Sequence, residues 1–424
     1  MRTIRRRSFL ALGAACLPLL AAGGCKWTDF DDLKEDTWVT STGKPDNAAA
    51  SWAVAIARLR QSGSGGTLAV LGATEEIYND VVIGPTGDVT ITNELELGNQ
   101  LGIGNLALEP LLLSRPDADE AALVTMPDGS QGSRILVIRS TAGELKPVSV
   151  AIAQPSGAQP SGATYMVSPP QGGTGPQTQV LVAQGGTVFG AFFDSAPSPQ
   201  PACVLRDDAA AMAAIDIRAL GAYRPAGAAY DDIIVLTSGG KLMVYDGVAF
   251  NGCMAPQAPR PGLVRDLGFT GVQTGSQIIT LGDMPYVLVQ MHDDSGGGRL
   301  GLYQITASSI DEIGAPRDAA RLKTAALFEP TGDAKRYVLA GMPSAIVDGA
   351  DAGQVQVIEV DLTTGFAATP AMTLFDAQPQ SNQAFGRGVA ELPYNGKKII
   401  AVAADNDVFL YFRTTLYGET REGR

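Results

Sequence analysis

DIIVLTSGGKLMVYDG, residues 232–247, contains the pattern that decides the fold of this chain. Its first six residues form a short apolar run with β character. Ser238-Gly239-Gly240 follows, and glycines at a turn supply the positive φ angles that tight hairpins require. The second run, KLMVYDG, alternates polar and apolar residues, as a strand does when one of its faces is buried. The stretch therefore predicts a β-hairpin.

This hairpin plan recurs along the chain at a nearly constant interval. The first runs begin at positions 67, 121, 179, 232, 286, 336 and 399 and read TLAVLG, AALVTM, QVLVAQ, DIIVLT, YVLVQM, RYVLAG and IIAVAA. The intervals between these positions are 54, 58, 53, 54, 50 and 63 residues. A period near 50 is typical of propeller blades, whereas a pair of β-sandwiches, the alternative, has no reason to repeat at one interval. We predict an all-β fold, a seven-bladed β-propeller over residues 51–424.

The first 24 residues have the organisation of an export signal. Four arginines among residues 2–7 precede an uncharged stretch that is too short to span a bilayer stably. The end of this stretch, LLAAGGC at 19–25, looks like a bacterial lipobox, in which the cysteine becomes the acylated N-terminus. We predict a signal peptide over 1–24 and a lipoprotein carrying acyl chains such as palmitate on Cys25. An ordinary secretory signal with a chance cysteine is the alternative, and RRSFL also resembles a twin-arginine export motif.

The residue after Cys25 and the charge of the mature chain bear on location and partners. In lipoprotein sorting an Asp at this position retains a protein on the inner membrane, so Lys26 favours the bacterial outer membrane.

Removal of residues 1–24 leaves 27 basic and 44 acidic residues, a net charge of −17. Such a surface repels nucleic acid and anionic head groups. We therefore expect membrane contact through the acyl chains only, and a monomer on the periplasmic or cell-surface side.

Residues 25–50 are expected to form the lipidated N-terminus and a polar tether that is rich in Asp and Thr. Within this segment, DTWVT at 36–40 has strand character. The last unit lacks an obvious fourth strand before residue 424. We predict that this segment completes the last unit, because closure by both termini would remove exposed sheet edges.

Two cysteines remain in the mature chain beyond Cys25. Cys203 and Cys253 lie 50 residues apart, which is one repeat length, and each follows the second run of its unit. Equivalent loops of adjacent blades are neighbours, and an even number of cysteines in an oxidising compartment favours pairing. We predict a disulfide between Cys203 and Cys253. Two isolated buried thiols are the alternative.

Motif letters in the sixth and seventh units resemble a known family. Phe385-Gly386-Arg387-Gly388 precedes the seventh unit, and Gly341-Met342-Pro343 stands in the sixth unit, followed by DGADAG at 348–353. These residues resemble the FG-GAP repeat of integrin-α-like propellers. The resemblance extends over about 51–418 and implies a seven-bladed propeller.

Many FG-GAP repeats carry a calcium loop between the first and second strands of a blade, because a hard cation needs several oxygen ligands in one tight turn. None of the corresponding loops in this chain holds the full ligand set. Asp117 and Asp119 come nearest and are weak candidates, with a solvated acidic turn as the alternative. No other cofactor is expected.

The chain offers few residues for catalysis. Its one histidine, His292, stands in HDDSGGG at 292–298, which fits a long hairpin turn better than a metal or acid–base site. No nucleophile elbow, metalloprotease helix or phosphate-binding loop is present in the sequence. We therefore expect no enzyme but a non-catalytic binding or scaffold module for a protein or glycan. The alternative is a carboxylate-based glycosidase, lyase or phosphoesterase acting on an envelope or extracellular polymer.

Overall fold

The computed structural model describes most of the chain from residue 160 onward and isolated strands before it. The described ranges are 39–41, 55–59, 66–71, 77–83, 89–96, 109–111, 120–128, 132–141, 144–152, 160–169, 176–192, 198–199, 202–207, 214–248, 261–282, 284–330, 334–376, 379–394, 397–405 and 407–411. Side chains are described only within 161–411. Cys25, Cys253, Asp117 and Asp119 lie outside the described residues, so the predictions on them remain predictions.

The described strands before residue 153 form two antiparallel sheets and one separate strand. The separate strand is β1 (Val39–Ser41). Sheet 1 consists of β2 (Ala55–Leu59), β3 (Gly66–Leu71), β4 (Ile77–Ile83) and β5 (Val89–Glu96). Sheet 2 consists of β6 (Glu109–Leu111), β7 (Glu120–Asp128), β8 (Gly132–Thr141) and β9 (Glu144–Ile152).

The middle of the chain forms three further sheets of the same kind. Sheet 3 consists of β10 (Pro160–Ser168), β11 (Gln177–Gln184) and β12 (Thr187–Phe192), with β13 (Ser198–Pro199) and β14 (Cys203–Val204) on β12. Sheet 4 consists of β15 (Ile217–Tyr223), β16 (Asp232–Thr237), β17 (Lys241–Tyr245) and β18 (Pro261–Asp266). Sheet 5 consists of β19 (Gln277–Thr280), β20 (Tyr286–His292) and β21 (Gly298–Ile305), with β22 (Ile310–Glu312) and β23 (Arg317–Asp318) on β21.

The last two sheets depart slightly from a simple order. Sheet 6 consists of β24 (Thr324–Phe328), β25 (Arg336–Met342) and β28 (Gln354–Asp361), with β29 (Gly365–Phe366) and β30 (Met372–Leu374) on β28. Between β25 and β28 the chain forms a separate two-stranded hairpin of β26 (Ile346–Val347) and β27 (Ala350–Asp351). Sheet 7 consists of β31 (Gly388–Tyr394), β32 (Lys397–Ala404) and β33 (Asp407–Tyr411). Its fourth strand is β1, in which Val39 pairs with Tyr411 and Ser41 with Phe409. The prediction that the segment 36–40 completes the last unit is confirmed for 39–40, and the strand extends to Ser41. Residues 36–38 lie outside the described residues.

The all-β prediction is confirmed: the described residues form seven antiparallel sheets of four or five strands and one two-stranded hairpin. Each predicted first run coincides with the second strand of a sheet, as DIIVLT does with β16. The prediction that the second run buries one face is wrong for β17, because Leu242, Met243, Val244 and Tyr245 are all buried. A strand is buried on both faces when its sheet has neighbours on both sides.

Adjacent side chains of one strand pack against different neighbouring sheets. Ile233 belongs to an apolar cluster with Leu181 of sheet 3, whereas Ile234 belongs to a cluster with Val287 of sheet 5. Side chains alternate between the two faces of a strand, so one strand can supply two cores. Similar clusters join sheet 5 to sheet 6 and sheet 6 to sheet 7. The core of the described region therefore lies between the sheets.

Contacts between sheets also involve their first strands. β6 contacts β10, β10 contacts β15, β15 contacts β19, β19 contacts β24, and β24 contacts β31. In sheet 1, β2 contacts β7 of sheet 2 and also β31 of sheet 7. The series of contacts thus passes through all seven sheets and returns from the last to the first. Within the described ranges, no helix has the length and apolar character needed to cross a lipid bilayer.

Candidate functional site

The FG-GAP-like residues come together between sheet 6 and sheet 7. Gly341, near the end of β25, lies against the carbonyl oxygen of Gly386, and Thr324 Oγ1 donates a 3.0 Å hydrogen bond to the same oxygen. The Phe385 N–H donates to Ala352 O at 2.8 Å, and the Gly386 N–H donates to Ala403 O at 3.0 Å. The motif residues therefore fasten the segment before β31 to both sheets.

The aromatic ring of this motif is part of the core. Phe385 is fully buried and belongs to the cluster between sheets 6 and 7. Its ring centroid lies 5.2 Å from that of Phe409 and 6.3 Å from that of Tyr411, at edge or tilted angles that aromatic pairs favour. Gly386 has a φ of +89°, a conformation that glycine adopts without strain. The motif acts in packing rather than in chemistry.

Met342 and Pro343 lie where β25 leads into the additional hairpin. Met342 is buried, and its sulfur accepts a hydrogen bond of 3.5 Å from Gln354 Nε2. The Gly353 N–H donates to Ala345 O at 2.9 Å, which closes the base of the hairpin. Gly353 also has a positive φ of +89° and forms a parallel bridge with Phe385.

Among the described residues, a cluster of buried polar side chains surrounds His292, at the end of β20. His292 is 5% exposed, Ser276 is 4% exposed and Gln290 is fully buried. Gln290 Nε2 lies 3.2 Å from His292 Nδ1, and Ser276 Oγ lies 3.4 Å from the same atom. The His292 N–H donates to Ser276 Oγ at 3.3 Å, and its carbonyl accepts from Gln273 N at 2.9 Å.

The environment of His292 disfavours its charged form. Burial, the largest cause, and then the ammonium of Lys323 lower the pKa of His292 to about 4, although Asp293 and Asp294 act in the opposite direction. The ring also forms a hydrogen bond with the backbone of Thr274. A neutral imidazole carries one donor and one acceptor nitrogen. Because the Gln290 amide donates to Nδ1, the ring proton resides on Nε2.

The residues after His292 form the predicted hairpin turn. His292 pairs with Gly298, and the Asp293 N–H donates to Gly297 O at 3.0 Å. Asp293 Oδ1 accepts from Ser295 Oγ at 2.7 Å and from Gly297 N at 2.8 Å. These hydrogen bonds hold the pKa of Asp293 below its usual range. The Asp293 carboxylate therefore stabilises the turn, and His292 takes part in the hydrogen-bond network of sheet 5 through Ser276 and Gln290.

Sequence reasoning did not identify Ser276 and Gln290 as partners of His292. Gln290 lies in the apolar run YVLVQM, where its polar side chain gave the only signal. Among the residues that the structure describes, none forms a hydrogen bond with the buried Gln290 Oε1 atom, and an unsatisfied buried acceptor costs free energy in a folded chain. Gln277 pairs with Gln290 across β19 and β20, and this register brings Ser276 next to the ring.

Cys203 is buried in the cluster between sheets 3 and 4 and takes part in a disulfide bond. Its partner lies outside the described residues. The predicted identity of the partner, Cys253, thus remains a prediction. Among the side chains that the structure describes, no group of three His, Cys, Asp or Glu residues converges where it could hold a metal ion.

Comparison with known proteins adds no family to this picture. No protein-family model matches the chain, and no curated protein matches it significantly.

Proposed function

We propose that the chain is a lipid-anchored envelope protein of the bacterial outer membrane, in which the seven sheets form a seven-bladed β-propeller of FG-GAP-like repeats. In this proposal the propeller binds a protein or glycan partner and catalyses no reaction. The acyl chains on Cys25 hold it at the membrane.

The pairing of β1 with β33 is the observation that carries this proposal. Val39 lies 14 positions after Cys25 and already belongs to sheet 7. Sheet 7 in turn contacts sheet 1 through β31 and β2. A strand from the N-terminal segment that completes the last sheet is a typical way to hold a propeller closed. The same strand gives the proposed anchor a direct mechanical connection to the folded part.

The packing of the sheets supports the propeller architecture further. Strands such as β16 face one neighbouring sheet through Ile233 and the other through Ile234. Sheets stacked around an axis bury both faces in this way, whereas a sheet of a two-layer sandwich buries one.

A binding role is supported by the way in which the connections between sheets are fixed. The Leu267 N–H donates to Gly240 O at 2.9 Å, and the Ala319 N–H donates to Gly298 O at 2.8 Å. The Asp405 N–H donates to Gln383 O at 2.8 Å. Backbone hydrogen bonds of this kind hold each connection against a hairpin turn. Connections that are ordered before binding lose little entropy when a partner docks.

Anchoring is tested by metabolic labelling with an alkyne analogue of palmitate, followed by separation of inner and outer membranes. We expect the wild-type protein to incorporate the label and to sediment with the outer membrane, and Cys25→Ala to lose both properties. Label incorporation by Cys25→Ala would contradict the proposed site.

Electron microscopy of the purified soluble part tests the architecture. Projections along the axis should show a ring of seven densities, and two separate lobes would contradict the propeller.

A further inference from the structure

Sheet 6 carries an extra hairpin between its second and third strands. The turn between β11 and β12 is formed by Gly185 and Gly186 alone, whereas residues 343–353 separate β25 from β28 and contain β26 and β27. At its tip Asp348 and Gly349 have φ angles of +50° and +85°. Two successive positive φ angles are characteristic of a type I′ hairpin, whose twist matches that of its strands. The hairpin is thus a short, well-defined projection.

The described non-glycine residues with left-handed backbone all lie on this hairpin or near it. They are Arg321, Asp348, Asn382 and Ala384. Arg321 Nη1 donates to Ser344 O, and the Asn382 N–H donates to Asp351 O at 2.8 Å. Ala384 is followed by Phe385, whose N–H donates to Ala352 O.

Such conformations cost of the order of 1 kcal/mol each and persist only where their surroundings impose them. They concentrate at functional sites because a defined shape is needed there. Four such positions on or beside one projection therefore indicate that its contacts impose its conformation. Asp348 and Asn382 adopt a left-handed backbone at a lower free-energy cost than Arg321 and Ala384 do.

The hairpin presents an apolar side chain between carboxylates. Ile346 is 62% exposed, more than any other large apolar side chain that the structure describes. Its neighbour Val347 is buried, which fixes the outward direction of Ile346. Ile346 pairs with Asp351, and Asp348 is exposed at the tip. Arg321 Nη1 lies 3.9 Å from Asp351, so the carboxylate of Asp348 has the less neutralised charge.

The position of the hairpin is opposite to the entry of the N-terminal segment. Residues 351–352 contact 382–385, and this segment contacts Ala403 and Asp405 at the turn between β32 and β33. Val39 pairs with Tyr411, at the other end of β33. The chain that leads from the proposed anchor therefore reaches the sheets at the end remote from the hairpin.

Resting on the proposed function, we infer that residues 343–353 together with 380–384 form the docking surface for a protein partner. The partner offers an apolar recess for Ile346 and basic side chains for Asp348 and Asp351. Charge complementarity supports this chemistry, since the hairpin is acidic and the mature chain is strongly negative. A branched aliphatic anchor fits a protein recess, whereas glycans stack on aromatic rings.

Site-specific photo-crosslinking in intact cells tests the inference. A photoreactive amino acid replaces Ile346 in the full-length protein, and a matched probe replaces Val264 on β18, which is 50% exposed. We expect a discrete crosslinked adduct from position 346 and none of the same mass from position 264. The yield of the adduct in membranes should fall as the salt concentration rises, because salt screens the charges that hold the partner. The adduct should contain a basic protein. Equal adducts from both positions, or an acidic partner, would overturn the inference.

Competition then separates a specific surface from chance proximity. Purified soluble protein is added to membranes that carry the probe at position 346, and the concentration that halves the adduct is measured. The variants Ile346→Ser and Asp348→Asn should require about tenfold more protein than wild type, because an apolar anchor and its charged border carry much of the affinity. Val264→Ser should compete like wild type. Equal competition by Ile346→Ser would overturn the inference.

Failure of the proposed function gives a different result. If only position 264 yields a competed adduct, a binding role remains and the docking surface is wrong. If positions 346 and 264 and a third probe at Val248, 57% exposed, all yield none, both the docking surface and the binding role are refuted.

Discussion

Gly341 of sheet 6 lies directly against the carbonyl oxygen of Gly386, which precedes sheet 7, with no room for a side chain at position 341. The same oxygen accepts the hydrogen bond from Thr324 Oγ1. Two glycines that are remote in sequence thus define how closely neighbouring sheets approach. This close approach of two backbones requires glycine at position 341, because a Cβ there would meet the Gly386 oxygen.

Gly341→Ala is expected to destabilise the protein by about 2 to 3 kcal/mol, because the added methyl group must push the backbone of Gly386 away. Chemical denaturation measures the loss. Gly239→Ala is the matched control, since a Cβ there meets only Thr237 Oγ1 at 3.9 Å, and its effect should stay within about 0.5 kcal/mol. Equal stability of the two variants would show that sheets 6 and 7 do not pack as described.

Asp231→Ala is expected to cost about 1 to 3 kcal/mol. The buried carboxylate of Asp231 accepts from Val167 N at 2.8 Å and from Arg224 Nε at 3.0 Å, and it thereby ties sheet 4 to sheet 3. Denaturant titration measures the change. The control is Asp216→Ala, whose carboxylate is 49% exposed and bonds Arg218, so its loss should be within about 0.5 kcal/mol. A control that destabilises as much as Asp231→Ala would contradict this account.

Deletion of residues 36–42 removes β1 and leaves the edge of β33 unpaired. Loss of the three residue pairs between β1 and β33, at about 1 kcal/mol per backbone hydrogen bond, corresponds to a decrease in Tm of roughly 3 to 4 °C for a folded part of this length. A thermal melt of the soluble protein measures it. Deletion of seven residues at 28–34 is the length-matched control and should leave Tm unchanged. An unchanged Tm for the first deletion would remove the main support for closure by the N-terminal segment.

The sequence could predict the second strand of every sheet, because that strand contains a short, nearly continuous apolar run. The predicted starts at Asp232, Tyr286 and Arg336 coincide with the first residues of β16, β20 and β25. First strands were harder to recognise, since β19 is only the four residues QIIT and contains two polar side chains. The long interval between the runs at 336 and 399 has a structural reason in the inserted hairpin at 343–353.

The candidate site was less accessible to sequence reasoning. The hairpin turn after His292 was predicted correctly, because a run of Asp, Ser and Gly has local conformational preferences. His292 itself is the buried last residue of β20 rather than a residue of the turn. Its partners Ser276 and Gln290 depend on the register of β19 against β20, which no local pattern specifies. The contact between Gly341 and Gly386 likewise depends on the packing of two sheets.

Cys253→Ser is expected to leave one free thiol on the unreduced mature protein, because Cys203 is disulfide-bonded and Cys253 is its predicted partner. Thiol titration under denaturing conditions measures the count, with wild type giving none. A disulfide that closes a loop of 50 residues raises the free energy of unfolding by about 4 kcal/mol at most. The variant should therefore also unfold at a lower denaturant concentration. Absence of a free thiol in the variant would assign a different partner to Cys203.

The buried neutral His292 makes the stability of the protein dependent on pH. Its pKa is lowered from 6.5 to about 4 by burial and by Lys323, so the unfolded chain binds the proton more readily between these values. The stabilisation is complete above pH 6.5 and is lost progressively as pH falls to 4, by about 3 kcal/mol at most.

Many carboxylates also titrate in this range, so the contribution of His292 is measured as a difference. The free energy of unfolding is determined at pH 7 and at pH 4.5 for wild type and for His292→Gln, which cannot titrate at this position. Wild type should lose more stability than the variant between pH 7 and pH 4.5. Only wild type carries an imidazole at this position, and burial and the positive charge of Lys323 oppose its protonation in the folded state. NMR titration of the single imidazole gives its pKa directly in the folded protein. A pKa near 6.5, with equal losses for the two proteins, would show that the ring is solvated and that its hydrogen bonds to Ser276 and Gln290 do not form.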